Sequence, residues 1–388
     1  MSNFVGQPPP PRIRLGMVGG GRDAFIGAVH RMAARLDDQF ELVAGALSST
    51  AEKSLASGQD LGLPPDRIYP DFDTMARKEA DRPDGIEAVA IVTPNHMHFR
   101  AAEAFLAKRI SVICDKPITN TLSEALRLND MAKRSGAAFI LTHNYSGYPM
   151  VRQAREMVTD GKIGKIRVVQ AEYAQGWLSE RLEEDGAKQA EWRTDPVRAG
   201  AGGSIGDIGT HAYHLAGFVT GLEAESLAAD LTTFVPGRSL DDNAHILLRY
   251  HGGAKGMIWT SQVAVGKENA LKLRIYGEIG ALEWEQENPN LLLYMPQGDV
   301  SRIITRGSPA AGEAAMRVTR IPPGHPEGYL EGFATIYKEA ATIIRATQSG
   351  IQVDSAVLAP STEDGVAGLA FIEACVRSDQ QNTAWIRL

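Results

Sequence analysis

The sequence predicts an α/β chain in two parts. The first is a doubly wound parallel sheet of Rossmann type, and the second an α+β domain with a large, mostly antiparallel open sheet. Three observations carry that prediction. Up to about Tyr145, apolar runs such as "GIEAVAIVTP" and "ISVICDKP" alternate with stretches of helical spacing such as "HFRAAEAFLAKR". Strands that are apolar throughout need cover on both faces, which helical crossovers between parallel strands provide. From about Glu225 to Tyr294 the strands crowd together with short connections, which favours antiparallel pairing.

The elements follow in order. "RIRLGMVGGG" is a strand running into glycines, and "AFIGAVHRMAARL" has the spacing of a helix. "FELVAGALSS" is a second strand and "GIEAVAIVTP" a third. "ISVICDKP" is a further strand, "TLSEALRLNDMAKRSG" a helix closed by Gly136, and "AAFILTHNY" the last strand of the first part. A helix, "PMVRQAREMVTDGKIG", opens the second part and leads to the strand "KIRVVQAEYAQGWL". A polar, glycine-rich stretch to about Ser204 precedes a helix at "DIGTHAYHLAGFV". Five close-set strands and two terminal helices, "GYLEGFATIYKEAATIIRATQSG" and "TEDGVAGLAFIEACVRSDQ", complete the chain. The expected boundaries are residues 1–145 for the dinucleotide-binding domain and 146–388 for a substrate-binding and oligomerisation domain. Residues 1–11, "MSNFVGQPPPP", read as a disordered arm stiffened by proline.

Bulk properties narrow the function. The net charge of -7 argues against a nucleic-acid partner. Two cysteines far apart, Cys114 and Cys375, suit a reduced, cytoplasmic protein rather than a disulfide scaffold. Apolar runs fall short of the roughly 18 residues that suggest a membrane span.

The glycines after the first strand mark a place where backbone can approach phosphates, at the positive end of the following helix. Gly19 and Gly21 stand in the usual pattern, but the third glycine, Gly27, comes three residues late. Arg22, Asp23, Ala24 and Phe25 therefore belong to the loop expected to face a cofactor. The second strand ends Ala46-Leu47-Ser48-Ser49-Thr50, with no carboxylate to grip ribose hydroxyls. Ser48 can serve instead, so NAD is expected and NADP stays open. Thr93, Asn95 and His98 in "TPNHMHF" follow the third strand, at the sheet edge where ligands sit. Asn95 or Thr93 also suits a helix cap. One strand over, Lys116 stands at a strand tip in "CDKP". Asp207 and His211, four residues apart in "GGSIGDIGTH", share one helix face, where the carboxylate can fix the imidazole tautomer for proton abstraction.

The stretches "VGGGRDAFIG", "TPNHMHF", "CDKP", "EWRTDP" and "GGSIGDIGTH" together resemble the Gfo/Idh/MocA oxidoreductases, the glucose–fructose oxidoreductase and inositol dehydrogenase family. The resemblance spans nearly the whole chain. It implies an NAD(P)-dependent enzyme that takes hydride from a secondary alcohol of a sugar or polyol. It places Lys116 on the reacting hydroxyl and beside the nicotinamide, between Asp115 and a Pro117 whose preceding peptide bond is commonly cis. His211 would take the proton and Asp207 would orient it. Asn144 and Tyr145 would lie near the interdomain cleft. The family's second aspartate, three residues after the histidine, is His214 here.

Several residues carry two readings. His214 is a substrate contact or a satisfied helix histidine. Arg193 grips an oxygen-rich group or pairs with an acid in its loop. Tyr145 binds substrate or packs at the hinge, and Trp177 stacks on a sugar or sits in the core. No metal site is expected. Two alternatives share the resemblance: a glycosidase working by transient oxidation with retained NAD, and a non-enzymatic sugar or nucleotide sensor. Homodimers or homotetramers through the second sheet are also implied.

Overall fold

The computed structural model describes residues 10–22 and 24–388, so the expected disordered arm lies almost entirely outside the described residues. The first sheet has the parallel order β2-β1-β3-β4-β5, with β1 (Ile13–Gly19), β2 (Phe40–Ala46), β3 (Ala88–Val92), β4 (Ser111–Cys114) and β5 (Phe139–Leu141). Every residue of β3 and β4 is buried, which explains their unbroken apolar character. Helices α1 (Phe25–Leu36), α2 (Ala51–Asp60), α3 (Phe72–Ala80), α4 (His98–Leu106) and α5 (Leu122–Ser135) join the strands. Side chains of Thr50, Asp71 and Thr121 cap α2, α3 and α5, each accepting a backbone N–H of the first turn. Gly136 closes α5 in the left-handed conformation, φ 68°.

The second part begins with α6 (Pro149–Thr159) and β6 (Ile166–Ala174). Short helices α7 (Lys188–Arg193) and α8 (Pro196–Ala199) occupy the polar stretch, ahead of α9 (Thr210–Thr220). Then come β7 (Ala224–Thr232), β8 (Asn243–Tyr250), β9 (Lys255–Ser261), β10 (Ala270–Gly277), β11 (Gly280–Glu285), β12 (Leu291–Pro296) and β13 (Arg302–Thr305). Helices α10 (Glu313–Val318), α11 (Tyr329–Ser349) and α12 (Thr362–Gln380) precede a terminal strand, β14 (Ile386–Arg387). Nine strands form the second sheet in the order β13-β12-β11-β10-β6-β9-β8-β7-β14. All its pairings are antiparallel except β6 with β9. The alternating burial of β8 shows one covered and one open face.

The chain's division in sequence is not its division in space. α11, far down the second part, packs on the first sheet. Its Phe333, Ile336, Tyr337 and Ile344 share one buried cluster with Leu15, Val29, Ala33 and Ile140. The Tyr337 hydroxyl meets Nδ1 of the fully buried His30 on α1 at 2.9 Å. An intact core around residues 13–141 therefore includes residues beyond the expected boundary at 146.

Burial pushes the pKa of His30 down from the ordinary 6.5 to about 4. The unfolded chain thus takes up a proton here before the native protein does. Stability from this site is complete above about pH 6.5 and declines as the pH falls toward about 4, by about 3 kcal/mol in all. Urea midpoints measured across that window should fall, and more gently in His30→Gln. Equal slopes for the two proteins would refute the assignment.

Candidate active site

The loop after β1 meets the requirements of a phosphate site. Gly19 and Gly20 have φ of 80° and 70°, which non-glycine residues rarely adopt. A Cβ on Gly27 would lie 2.3 Å from the Gly20 Cα, so the late third glycine still does the work of letting helix and loop cross. Unlike α2, α3 and α5, α1 has no side-chain cap among the described residues, its N-cap being Ala24. Its first N–H groups are left to an anion. Gly21 N–H donates to the Leu47 carbonyl at 3.1 Å, seating this loop against the end of β2. Arg22 pairs with Asp60 on α2 at 2.5 and 2.8 Å, and Phe25 is exposed at the start of α1. Ser48 is half-buried just after β2. Asp23 lies outside the described residues.

The next two loops converge with the second domain. Asn95 Nδ2 donates to the Ala199 carbonyl at 3.1 Å, and Asn120 Nδ2 to the Val197 carbonyl at 3.1 Å, so α8 is tied across the edge of the first sheet. Thr93 Oγ1, Asn144 Nδ2 and His211 Nδ1 are buried without a hydrogen-bond partner among the described residues. Polar atoms left so are expected where a polar ligand completes the site. Asp115 accepts from the Lys116 N–H and the Thr142 hydroxyl, each at 2.9 Å, which anchors the loop that carries the lysine. The Lys116–Pro117 peptide bond is cis.

Lys116 Nζ donates to the Asp207 carbonyl at 2.6 Å and to Asp207 Oδ1 at 3.0 Å. Arg193 Nε and Gln262 Nε2 both donate to Asp207 Oδ2 at 2.9 Å. Burial opposes the charge on Asp207, but the Arg193 and Lys116 charges outweigh it and hold the carboxyl far below the usual range. The spacing of Asp207 and His211 predicts a carboxylate–imidazole contact, and the structure differs. Residues Ile205–Gly209 form a π turn, and Asp207 acts on His211 through its charge, with no hydrogen bond between them among the described residues. Both carboxylate oxygens serve Lys116, Arg193 and Gln262 instead.

His211 is 8% exposed, with its ring edge-on to Tyr145 at 4.9 Å and to His143 at 5.5 Å. Burial, then the Lys116 charge, push its pKa well below the ordinary value, so the ring is neutral at neutral pH. A neutral imidazole can accept a proton. The Tyr145 hydroxyl lies 2.5 Å from that of Tyr173, which donates to Asn269 at 2.7 Å. Arg193 takes the acid-pairing reading and also lies 4.2 Å over the Trp192 ring and 5.9 Å over that of Trp177. Trp177 is half-buried and donates to Gln175 at 2.9 Å. His214 stacks on His143 at 4.1 Å and faces Asp364 of α12 at 3.5 Å, which is the reading of a satisfied helix histidine. His98 turns inward, 1% exposed, with both ring nitrogens on backbone carbonyls. A direct contact with a cofactor is closed to it.

Residues 13–143 match the oxidoreductase family with an NAD-binding Rossmann fold, and residues 151–283 match the GFO/IDH/MocA C-terminal domain. The chain belongs to the Gfo/Idh/MocA family. That family is one of oxidoreductases, and the matched first domain is its NAD-binding Rossmann fold. A crystal structure of an oxidoreductase from Sinorhizobium meliloti is 57% identical, with a TM-score of 0.89 over 97% of this chain and 100% of that one. An inositol dehydrogenase homolog from Azotobacter vinelandii, complexed with NAD+, is 38% identical, with a TM-score of 0.93 over 97% of each chain. Its complex with NADH and myo-inositol is 36% identical, with a TM-score of 0.91 over 97% of this chain and 98% of that one. Levoglucosan dehydrogenase from Pseudarthrobacter phenanthrenivorans is 26% identical over 96% of this chain and 97% of its own.

Within this Gfo/Idh/MocA site, Gln262 is a residue that no motif announced. It is 3% exposed and holds the carboxylate that holds Lys116. Gln262→Leu should remove a hydrogen bond to a charged group and lower kcat/KM about 10- to 100-fold. Steady-state kinetics alongside thermal unfolding check this, and an unchanged kcat/KM in a folded variant would count against it.

Proposed function

We propose that the protein is an NAD-dependent dehydrogenase acting on a secondary alcohol of a sugar, a cyclic polyol or a derivative of either. The observation that carries this reading is the Lys116–Asp207 pair beside a neutral His211. The cation lies near enough for its charge to act on the imidazole. NAD, when bound, supplies the hydride acceptor. The chain's own residues do the rest. His211 takes the hydroxyl proton on a ring nitrogen. Lys116, 14% exposed, holds positive charge where alkoxide character grows, and a preorganised charge in a dry site acts more strongly than in water. Asp207 fixes the ammonium by two bonds, and Arg193 and Gln262 fix Asp207. The related proteins named for inositol and levoglucosan support an oxygen-rich ring as substrate.

The test is a panel of sugars and polyols with NAD and NADP in parallel, following absorbance of the reduced nicotinamide. Reduction of NAD by one of them is expected. Reduction of neither cofactor by any of them would overturn the proposal, and release of an aglycone without net NADH would replace it with the glycosidase reading.

Self-association through the second sheet belongs to the same reading. Its open face presents Leu247 beside Met257 and Val168 beside Tyr276, exposed by 54, 40, 36 and 37%. Light scattering on a sizing column should give a multiple of 41.9 kDa, and a single 41.9 kDa species would refute it.

A further inference from the structure

His98 makes two hydrogen bonds that a neutral ring cannot make together. Nδ1 lies 2.7 Å from the Pro117 carbonyl oxygen and Nε2 2.9 Å from the Thr93 carbonyl oxygen. Carbonyl oxygens only accept. A neutral imidazole offers one N–H and one lone pair, so one of these contacts would set lone pair against lone pair in a site 1% exposed. The doubly protonated ring offers an N–H to each.

The surroundings pull both ways. Burial lowers the pKa of His98, while the Asp115 carboxylate raises it, followed by the carbonyls of Pro117 and Thr93; His96 lowers it. His30, on α1, is near enough to feel the charge of His98, and is itself held neutral by burial. The nearby anion is thus Asp115, at the end of β4. Two short contacts to acceptors leave no arrangement of a single proton that satisfies both.

We propose that His98 is an imidazolium clamp, donating to Thr93 and Pro117 at once, and thereby a positioning residue for Lys116. The two carbonyls belong to the loops that follow β3 and β4. One loop carries Asn95, which ties down α8, and the other carries Lys116 itself. A single charged ring at the head of α4 therefore sets the spacing between the cofactor edge and the amine. The positioning half of the proposal rests on the reading of Lys116 as catalytic, and the protonation half does not.

The protonation state is read without activity. In protein labelled with nitrogen-15, the His98 ring signals are assigned by their loss in His98→Gln. Both nitrogens should carry hydrogen at neutral pH, and a bare nitrogen would overturn the clamp. Glutamine has a single donor nitrogen and cannot span both carbonyls. His98→Gln should therefore lower kcat about 10- to 100-fold through misplacement of the amine, and an unchanged kcat would overturn the positioning role. Should no substrate turn over in the wild-type protein, the dehydrogenase reading fails by itself. A crystal structure of His98→Gln then decides positioning: Lys116 Nζ is expected to leave Asp207, and an unmoved ammonium would refute it. If His98→Gln does not fold, His98→Asn takes its place in assigning the ring signals, and the wild-type spectrum still decides the charge. The distance between the Thr93 and Pro117 carbonyl oxygens in a His98→Asn crystal then decides the rest, expected wider and refuted if unchanged.

Discussion

Lys116→Met is expected to lower kcat about 1,000-fold while NAD still binds. Methionine keeps the length and the apolar stem but removes the charge that faces the reacting oxygen. Removing one preorganised electrostatic group costs about 100- to 1,000-fold, and a lost proton-transfer partner has a similar scale. Asp207 remains ionised in the variant because Arg193 and Gln262 still donate to it. The loss therefore reports on the amine and not on collapse of its surroundings. Calorimetric titration with NAD, together with kcat on the substrate found in the panel, separates the two effects. A fall in kcat of less than about tenfold would mean that His211 and the bound nicotinamide carry the reaction without it.

Glu339→Gln is expected to cost about 3–5 kcal/mol of stability, the scale for breaking a buried ion pair. Arg152 and Glu339 have side chains only 2% and 1% exposed, and they meet through two bonds of 3.1 and 2.9 Å. Arg317 and the Leu358 N–H also donate to this carboxylate, at 2.7 and 3.0 Å. A neutral amide in its place leaves the Arg152 guanidinium buried without its counter-charge. Three elements meet there: α6, α10 and α11. Chemical denaturation followed by circular dichroism measures the loss. Adding Arg152→Met to Glu339→Leu should recover part of it, since well-packed apolar side chains replace a buried pair at little net cost. No difference between the single and double variants would show that the ion pair is not what holds the three helices.

The sheets were legible in the sequence because their physics is local and periodic. β3 and β4 are apolar at every position, and β8 alternates, so each strand announces how many of its faces are covered. Lys116 was legible as well, since a lysine at the tip of a buried strand is conspicuous. What escaped was whatever depended on distant partners. The helical spacing of α11 shows an apolar stripe and says nothing of which sheet receives it. Gln262, His143 and Asn120 are single polar residues with no spacing to mark them, and their roles appear only once the second domain is folded against the first. Asp207 misled for a different reason. Its spacing from His211 was visible, but the groups that claim both of its carboxylate oxygens, Lys116, Arg193 and Gln262, were not.

The placement of α11 has a consequence for how the protein is made. The ribosome finishes β5 at Leu141 long before it reaches Tyr329. Throughout that interval α1 alone covers one greasy side of the sheet, and only in part, so chaperones have something to hold. Premature termination anywhere between those points would release a polypeptide with that side only partly covered, prone to clump rather than to bind nucleotide. The last quarter of the message is thus needed to finish the first third of the fold.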